Sequence, residues 1–286
     1  MKILSTPGWD DYALLDSGDG LRLERFGKYT LVRPDPQIIW KPRLAPTAWK
    51  NADALFDAEK KKWIIKNDVP EKWLMHYKDL SFYAKLSPFK HTGVFPEQML
   101  QWDWIVEKLK TAEKQNPKVL NLFGYTGIAS LVAAKANASV THIDASRPTI
   151  GWARENQTAS KLTNKPVRWI LDDAMKFVQR EVKRGVSYEG IIMDPPIYGH
   201  GPEGEKWDFN ESFPKLLALC RSILSKQPLF ILVNAYAISA SSLMLENVLK
   251  DYVSDLGGTV EVGELALEEQ SAKRLLSTGI FARWSK

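Results

Sequence analysis

The chain has 286 residues, a length sufficient for one large domain or two modest ones. Its 44% hydrophobic and 26% charged content is that of an ordinary globular protein, and no apolar run reaches the roughly 18 residues that a membrane-spanning helix needs. The single cysteine, Cys220, excludes an internal disulfide and a multi-cysteine zinc site. The N-terminus has no apolar stretch suited to a secretory signal, so these features predict a cytoplasmic protein.

The net charge of +5 is unevenly distributed along the chain. Residues 1–95 carry a net charge of +4, whereas the remainder carries only +1. A basic excess in the N-terminal third is compatible with a polyanionic partner such as RNA. The excess is mild, and many proteins without such a partner carry one, so charge alone does not identify the partner.

The first part of the chain has the pattern of a small β-rich domain. Short apolar runs at Tyr12–Leu15, Leu21–Phe26 and Tyr29–Val32 are separated by glycine-containing segments typical of tight turns. Four prolines then interrupt the region up to about residue 50. We therefore predict an accessory β domain over residues 1–90, which is also the candidate substrate-binding or RNA-binding part of the protein.

From about residue 97 the pattern changes to alternating helices and strands. Strands are predicted at Lys118–Phe123, Ser139–Ile143, Val167–Leu171, Gly190–Met193, Leu229–Asn234, Thr259–Leu267 and Gly279–Trp284. The segments between the first six are helical in pattern, whereas the last two strands have no helix between them. This order predicts an α/β domain over residues 91–286, with a seven-stranded, mostly parallel, Rossmann-like sheet and an antiparallel strand at one edge.

The first strand of the alternating region ends in a glycine turn. The run from Val119 to Gly127 reads VLNLFGYTG, an apolar strand that opens into a helix. Glycines at Gly124 and Gly127 allow a nucleotide-like ligand to approach the backbone, because a side chain there would collide with it. The spacing is not the full pattern of dinucleotide-binding proteins, and glycines after a strand are also ordinary in loops.

Carboxylates follow the next two strands. Asp144 ends the second strand, where a carboxylate accepts hydrogen bonds from both hydroxyls of a ribose. The alternative is a helix cap, but Ser146 can fill that role. After the third strand, Asp173 and the backbone N–H of Ala174 are placed to bind an adenine edge. The alternative is that Asp172 or Asp173 merely caps the following helix.

The fourth strand ends in Asp194-Pro195-Pro196, followed by Tyr198. The prolines stiffen the backbone and have no N–H group, so their carbonyl oxygens are expected to face a hydrogen-bond donor of a substrate. Asp194 can accept a hydrogen bond from an amine, and Tyr198 offers a ring on which a flat base can stack. These residues predict the site of the substrate that accepts the transferred group. The alternative is that they form only a rigid turn.

The remaining reactive side chains give weaker signals. The four histidines have no metal-ligand spacing, and we predict no metal site. His142 lies inside an apolar strand and is expected in the core, whereas His200 is the histidine near the predicted chemistry, and His91 is a weaker candidate for a general base. Cys220 lies among leucines of a predicted helix and is expected to be a small buried hydrophobe.

Together these motifs resemble a known family. The segments VLNLFGYTG, HIDAS, WARENQ, DDAMKFV and IIMDPPIYG, with HTGVFPEQ before them, resemble the ribosomal RNA large-subunit methyltransferase I/K family and its shorter relatives. The resemblance implies S-adenosylmethionine as methyl donor, S-adenosylhomocysteine as product and ribosomal RNA as acceptor. Carried over residue by residue, it implies a transfer site at Asp194, Pro195, Pro196 and Tyr198, and cofactor contacts at Phe95, Gln98, Asn121, Gly124, Tyr125, Thr126, Gly127, Asp144, Ala145, Ser146, Asp173, Ala174 and Asp194.

Two departures from the family pattern narrow the expected reaction and the expected RNA-binding region. Members that methylate carbon 5 of cytosine need a thiolate after the fifth strand. Here that strand ends Val233-Asn234-Ala235-Tyr236 without a cysteine, so we predict against that reaction. The opening residues also do not match the RNA module of full-length relatives. RNA recognition would then fall to the β-rich domain, where Trp49, Trp63 and Lys60–Lys62 are candidate contacts.

Two other functions stay open at this point. One is a methyltransferase that acts on a protein side chain or a small molecule, since an aromatic residue near a proline pair serves such an acceptor equally well. The other is a non-catalytic module that binds RNA or protein on the same fold. The oligomeric state, the target nucleotide and the methylated atom are not indicated by the sequence.

Overall fold

The computed structural model describes residues 1–236 and 240–286. The chain divides into two compact units. The larger unit consists of Met1–Leu4, Leu100–Leu265 and Thr278–Lys286, and the smaller unit of Ser5–Met99 and Ala266–Ser277. The assignment of catalysis to residues 91–286 and of substrate binding to residues 1–90 stays a prediction.

The strands and helices are numbered in chain order. The strands are β1 (Lys2–Thr6), β2 (Tyr12–Gly18), β3 (Leu21–Phe26), β4 (Tyr29–Pro34), β5 (Ala54–Asp57), β6 (Lys62–Ile65), β7 (Lys72–Tyr77), β8 (Leu80–Lys85), β9 (Lys118–Leu122), β10 (Ser139–Asp144), β11 (Val167–Leu171), β12 (Gly190–Met193), β13 (Tyr198–His200), β14 (Lys206–Asp208), β15 (Phe230–Tyr236), β16 (Thr259–Glu268) and β17 (Leu275–Ser285). The α-helices are α1 (Pro46–Lys50), α2 (Met99–Lys110), α3 (Ile128–Lys135), α4 (Arg147–Ala159), α5 (Ala174–Arg184), α6 (Phe209–Ser222) and α7 (Ser242–Val253), with 3-10 turns at Pro96–Gln98 and Ser254–Leu256.

The main sheet has the strand order β1-β16-β17-β15-β12-β9-β10-β11 within the described residues. Strands β15, β12, β9, β10 and β11 are parallel to one another. Strand β17 pairs antiparallel with β15. The mostly parallel α/β sheet expected from the sequence is confirmed. All seven predicted strands are present, and β1 adds an eighth at the edge that the sequence did not predict.

Apolar strands and helix faces build the core of the larger unit. Strand β12 is buried along its whole length, as expected for a parallel strand covered on both faces. Its neighbours in the core include Phe177 of α5 and Phe213 of α6, which are 2% and 1% exposed. Helices α4 and α5 begin at side-chain caps supplied by Ser146 and Asp173. These caps fix where each helix starts, and with it the shape of the preceding loop.

The smaller unit is β-rich, as predicted. It contains a sheet with the order β2-β3-β4-β5-β6 and the separate hairpin β7-β8. Its interior holds charged groups that pair with each other: the Arg33 guanidinium donates to both oxygens of Glu24 (2.7 and 2.8 Å), which also accepts from the Tyr12 hydroxyl (2.8 Å). Such pairing offsets the cost of removing these charges from water. No helix in the described part of the chain has the length and apolar character needed to cross a membrane.

Candidate active site

The predicted site residues follow four strands that lie side by side. In the order β12-β9-β10-β11, the loops after β9, β10 and β11 carry the glycine turn, Asp144 and Asp173, and the loop after β12 carries Asp194. These strands are parallel, so their carboxyl ends meet at one edge of the sheet. The chain moves outward from β9 to β11 and then returns to the other side of β9 with β12. Ligands of open α/β sheets bind at such a switch point.

The glycine turn after β9 is tightly wound. Phe123, Tyr125 and Gly127 all have left-handed backbone conformations, with φ of 56°, 51° and 83°. For the two aromatic residues this costs roughly 1–2 kcal/mol each, so the surrounding structure must hold the turn in place. The hydrogen bond from the Gly127 N–H to the Gly124 carbonyl (3.1 Å) closes the turn. The result is a short, constrained segment at the carboxyl edge.

Gly124 is required for a reason that the sequence did not reveal. A Cβ atom at this position would overlap the imidazole ring of His142 on β10. The expectation that the glycine mainly admits a ligand is therefore incomplete, since the protein's own histidine already excludes a side chain. At Gly127 a Cβ would lie 2.9 Å from the Trp169 ring, which adds to the demand of its left-handed φ.

His142 belongs to a buried polar chain beneath the turn. Its Nδ1 lies 2.9 Å from the Ser130 hydroxyl, which also accepts a hydrogen bond from the Asn121 side-chain amide (2.9 Å). All three residues are at most 2% exposed. Burial lowers the pKa of His142 to about 3, so the ring is neutral at physiological pH. The prediction that His142 is a core residue is confirmed, and Asn121, expected to contact the cofactor, directs its amide to Ser130.

Asp144 orders the backbone of two loops. One carboxylate oxygen accepts the Tyr125 N–H (2.9 Å) and the other accepts the Ser146 N–H (2.9 Å). Burial raises the pKa of Asp144, and these two hydrogen bonds oppose the rise. Ser146 caps α4 instead, accepting from the Thr149 N–H (3.4 Å), as the sequence predicted. A carboxylate has about four lone-pair positions, so Asp144 retains acceptor capacity for ribose hydroxyls.

The two aspartates after β11 have different partners. Asp172 pairs with Arg180, whereas Asp173 caps α5 by accepting the Lys176 N–H (2.9 Å) through Oδ1. The capping alternative is therefore real for Asp173. Its other oxygen, Oδ2, lies 3.1 Å from the position that a Cβ on Gly201 would occupy, so the segment after β13 passes close to this carboxylate.

The loop after β12 differs from its expected form in one respect. The indole N–H of Trp207 donates to the Pro196 carbonyl oxygen (2.6 Å). This carbonyl therefore has a protein donor that the sequence did not predict, while its second lone pair keeps acceptor capacity for a substrate. Pro195 is buried and Tyr198 is 73% exposed. The exposed ring is available for contact with another molecule.

The β13-β14 hairpin follows this loop and was not predicted. Tyr198 pairs with Asp208 and His200 with Lys206, so these four side chains share one face of the hairpin. His200, the histidine nearest the predicted chemistry, is exposed on that face. The hairpin therefore presents a polar, partly aromatic surface directly after the Asp-Pro-Pro motif.

The remaining candidates have structural surroundings. Three of them, His91, Phe95 and Gln98, belong to the smaller unit. Burial, and to a smaller extent the nearby Arg33 charge, lowers the pKa of His91 to about 4. Cys220 is fully buried, which confirms its prediction as a core residue, and burial raises its pKa well above the usual value. No cluster of three or more metal-ligating side chains occurs among the described residues.

The residues at the carboxyl edge fit an adenosyl cofactor. A carboxylate ends β10 and another follows β11, a constrained turn follows β9, and an exposed aromatic residue follows the Asp-Pro-Pro motif. Carboxylates in these positions accept hydrogen bonds from ribose hydroxyls and an adenine amine. The fold and these loops together define a class I methyltransferase.

Comparison with known proteins supports this class and identifies the family. A solved SAM-dependent methyltransferase from Agrobacterium tumefaciens is similar over 100% of this chain and 93% of its own, with 43% identity and a TM-score of 0.96. The chain belongs to the S-adenosylmethionine-dependent methyltransferases. Its cofactor is S-adenosylmethionine, as the resemblance implied. No protein-family model matches the chain.

Curated relatives carry a more specific name but are much longer. Ribosomal RNA large subunit methyltransferase K/L of Shewanella amazonensis is 27% identical over 242 residues, which cover 76% of this chain and 33% of the relative. The K/L enzyme of Shewanella sp. (strain ANA-3) is 26% identical over 181 residues, covering 61% and 25%. The matched region is thus a quarter to a third of the length of these relatives.

Proposed function

We propose that this methyltransferase acts on RNA, with large-subunit ribosomal RNA as its acceptor. The observation that carries the proposal is the loop after β12, where Asp194 and the proline pair are followed by an exposed tyrosine ring. A flat base is the acceptor that such a ring suits best. Relatives named as ribosomal RNA methyltransferases support the same acceptor class.

The proposed cofactor contacts follow the order of the strands. Asp144 accepts the ribose hydroxyls, and Asp173 with the Ala174 N–H binds the adenine edge. The turn after β9 holds the methionine end, with Ala145 and Ser146 beside the ribose. The full set is Phe95, Gln98, Asn121, Gly124, Tyr125, Thr126, Gly127, Asp144, Ala145, Ser146, Asp173 and Ala174, together with Asp194, which faces both reactants and is proposed to contribute far more to transfer than to cofactor affinity.

The proposed transfer step depends on alignment. When bound, S-adenosylmethionine supplies an electrophilic methyl group on a sulfonium. Asp194 and the Pro195 carbonyl orient the acceptor amine, Pro196 keeps the loop rigid, and Tyr198 packs on the base. The proton of an exocyclic amine can leave after attack, so the site needs no strong general base.

The proposal does not include a cysteine adduct. The fifth strand of the parallel region, β15, ends at Tyr236 without a cysteine. Residues 237–239 lie outside the described part of the chain, and their sequence, Ala-Ile-Ser, contains no thiol. Cys220 lies within α6, fully buried, where its raised pKa opposes formation of a thiolate. A nucleophile with a lone pair, such as an amine, is therefore the proposed acceptor atom.

The smaller unit is the proposed RNA-binding part. Lys61 and Lys62 at the start of edge strand β6 are exposed. The two tryptophans considered from the sequence have internal partners: the Trp49 indole donates to Asp16 (3.1 Å) and the Trp63 indole to the Ser87 carbonyl (2.8 Å). The exposed lysines are therefore better candidates for phosphate contacts than the tryptophans.

The experiment is a methylation assay with Asp194→Ala. We expect turnover to fall at least 100-fold while the affinity for S-adenosylhomocysteine, measured by calorimetry, changes less than about threefold, because Asp194 is proposed to act on the acceptor. Labelled donor is incubated with extract from cells that lack this gene. Asp251→Ala, at an exposed position of α7, is the control.

Ribonuclease treatment of the extract separates the acceptor classes. Loss of label after treatment supports RNA, whereas label retained on protein or in small molecules contradicts it and favours that acceptor. A wild-type protein that binds the cofactor but transfers no label to any fraction would support a non-catalytic binding module. Mass spectrometry of ribosomal RNA from cells with and without the gene then locates the modified nucleotide.

A further inference from the structure

Trp207 connects the two loops that the proposed transfer reaction must align. It lies on β14 with 6% of its surface exposed, and it pairs directly with Gly199 of β13. Its indole N–H donates to the Pro196 carbonyl oxygen (2.6 Å). Its ring lies edge-on against Phe123 with the ring centres 4.9 Å apart. One side chain thus contacts both the acceptor loop and the turn after β9.

The hydrogen bond supplies a constraint that the prolines lack. A proline ring fixes φ of its own residue but leaves ψ adjustable. The ψ angle of Pro196 sets the direction of its carbonyl and of the chain that leads to Tyr198. By holding this carbonyl, the Trp207 indole fixes that remaining angle. Proline stiffness alone is therefore insufficient to define the loop.

The support for Trp207 is itself rigid. The Phe209 N–H donates to the Ile197 carbonyl (2.9 Å), which joins the residue before the hairpin to the first residue of α6. At the hairpin tip, Lys176 of α5 pairs with Glu203 (2.9 Å) and with Glu205. Trp207 also belongs to the main core cluster, which includes Phe209 and Phe213. The indole is thus a fixed reference point against which both loops are positioned.

We infer that Trp207 is a positioning residue for methyl transfer, which sets the acceptor loop relative to the turn that holds the methionine end of the cofactor. This inference rests on the proposed transfer site at Asp194. Trp207 has no proposed contact with either reactant. Misplacing reacting groups by about 1 Å can reduce a rate about 100-fold, so loss of one orienting hydrogen bond should reduce turnover more than binding.

The test compares two tryptophan variants. Trp207→Phe removes the N–H donor and keeps an aromatic ring. Trp284→Phe is the matched control, because Trp284 is 1% exposed and its indole donates to the Gly257 carbonyl (2.7 Å). On the neighbouring strand, Trp284 pairs with Ile231, which lies near the start of β15. This is the amino end of the parallel strands, opposite the end that carries the site. The two variants should lose similar thermal stability.

Two measurements follow, with extract from gene-deleted cells as the source of acceptor. For Trp207→Phe we expect turnover at least tenfold below Trp284→Phe, with S-adenosylhomocysteine affinity within twofold of wild type. Amide exchange in residues 194–200 should accelerate only in Trp207→Phe. Equal turnover and equal exchange in the two variants would overturn the inference.

The inference and the proposed function fail in different ways. Should ribonuclease leave the labelled product intact, the RNA proposal fails, while the difference between the two tryptophan variants still reports on positioning. Should Asp194→Ala retain turnover, the proposed transfer site is wrong. Faster exchange in residues 194–200 without loss of turnover would then show that Trp207 holds a loop that does not align the reaction, and this result also overturns the inference.

Discussion

Gly124 and His142 illustrate how single residues shape the turn after β9 from beneath. The imidazole of His142 fills the space that a Cβ on Gly124 would need, and the Ser130 hydroxyl links this ring to the Asn121 amide. A buried polar group without partners is costly, so this chain of hydrogen bonds stabilises the arrangement under the turn. The turn is therefore supported by polar groups of the core.

We predict that Gly124→Ala destabilises the protein by roughly 1–3 kcal/mol, because the new methyl group overlaps a fixed ring in a packed interior. Urea unfolding monitored by circular dichroism measures this change. The control is Gly151→Ala on the exposed face of α4, where no atom lies within 4 Å of the added Cβ. That substitution should stabilise the helix by about 0.5–1 kcal/mol. Equal effects of the two substitutions would show that the ring yields.

The location of Asp144 and Asp173 at the carboxyl edge of the sheet could be predicted from the sequence, but the partners of the residues around them could not. Asp144 ends β10 and Asp173 follows β11 by two residues, so their place at the sheet edge followed from strand order. The contact between Gly124 and His142, and the donation from Trp207 to Pro196, join residues 18 and 11 positions apart in sequence through tertiary packing. Periodicity carries no signal for such contacts.

At the scale of elements, the β13-β14 hairpin is a structure that the hydrophobic pattern of the sequence does not predict. Each of its strands has three residues, and its sequence contains three glycines and a proline between Tyr198 and Glu205. Two short strands alone are marginal in water. The hairpin is held by other elements, through Trp207 in the core and Lys176 on α5. Strands β9 and β12, of five and four residues, were by contrast predictable because their apolar residues form continuous runs.

We predict that Lys176→Met loosens the hairpin tip without unfolding the protein. The pairs with Glu203 and Glu205 lie at the surface, where ion pairs add little to global stability. Amide exchange in residues 201–206 should accelerate and turnover should fall several-fold, with little change in melting temperature. Lys250→Met, which removes a surface pair with Glu246 (2.7 Å) on α7, is the control. Identical exchange in both variants would contradict a role for Lys176.

The pH and salt dependence of the hairpin tip follows from the pair between Lys176 and Glu205. The hydrogen bond from Lys176 lowers the pKa of Glu205 to about 2. A carboxyl with a lowered folded-state pKa contributes stability above its ordinary value near 4.5, and that contribution is lost as the pH falls toward 2. At neutral pH the pair is intact. Raised salt, which screens exposed charges, should therefore reproduce part of the Lys176→Met effect on exchange.

At the scale of the whole molecule, the main sheet is completed by a segment far away in sequence. Strand β1 begins at Lys2 and lies beside β16, which begins at Thr259. The backbones approach so closely that a Cβ on Gly263 would overlap Lys2. Sequence patterns did not predict β1, because its five residues include few buried positions and its partner lies more than 250 residues away. The seven other strands were predictable from their own residues.

This arrangement predicts the effect of removing the first four residues. Without Met1–Leu4, β16 becomes the edge strand of the sheet, and its unpaired N–H and C=O groups favour association with other chains. We expect a lower melting temperature and more self-association in light scattering at raised protein concentration. Lys2→Ala is the control, because it removes the ion pair with Glu261 and keeps the strand. Glu261 retains Arg283 as a partner (2.7 Å), so this substitution should change little. If the truncated chain instead keeps the association state and the melting temperature of the full chain, β1 does not protect the edge of the sheet.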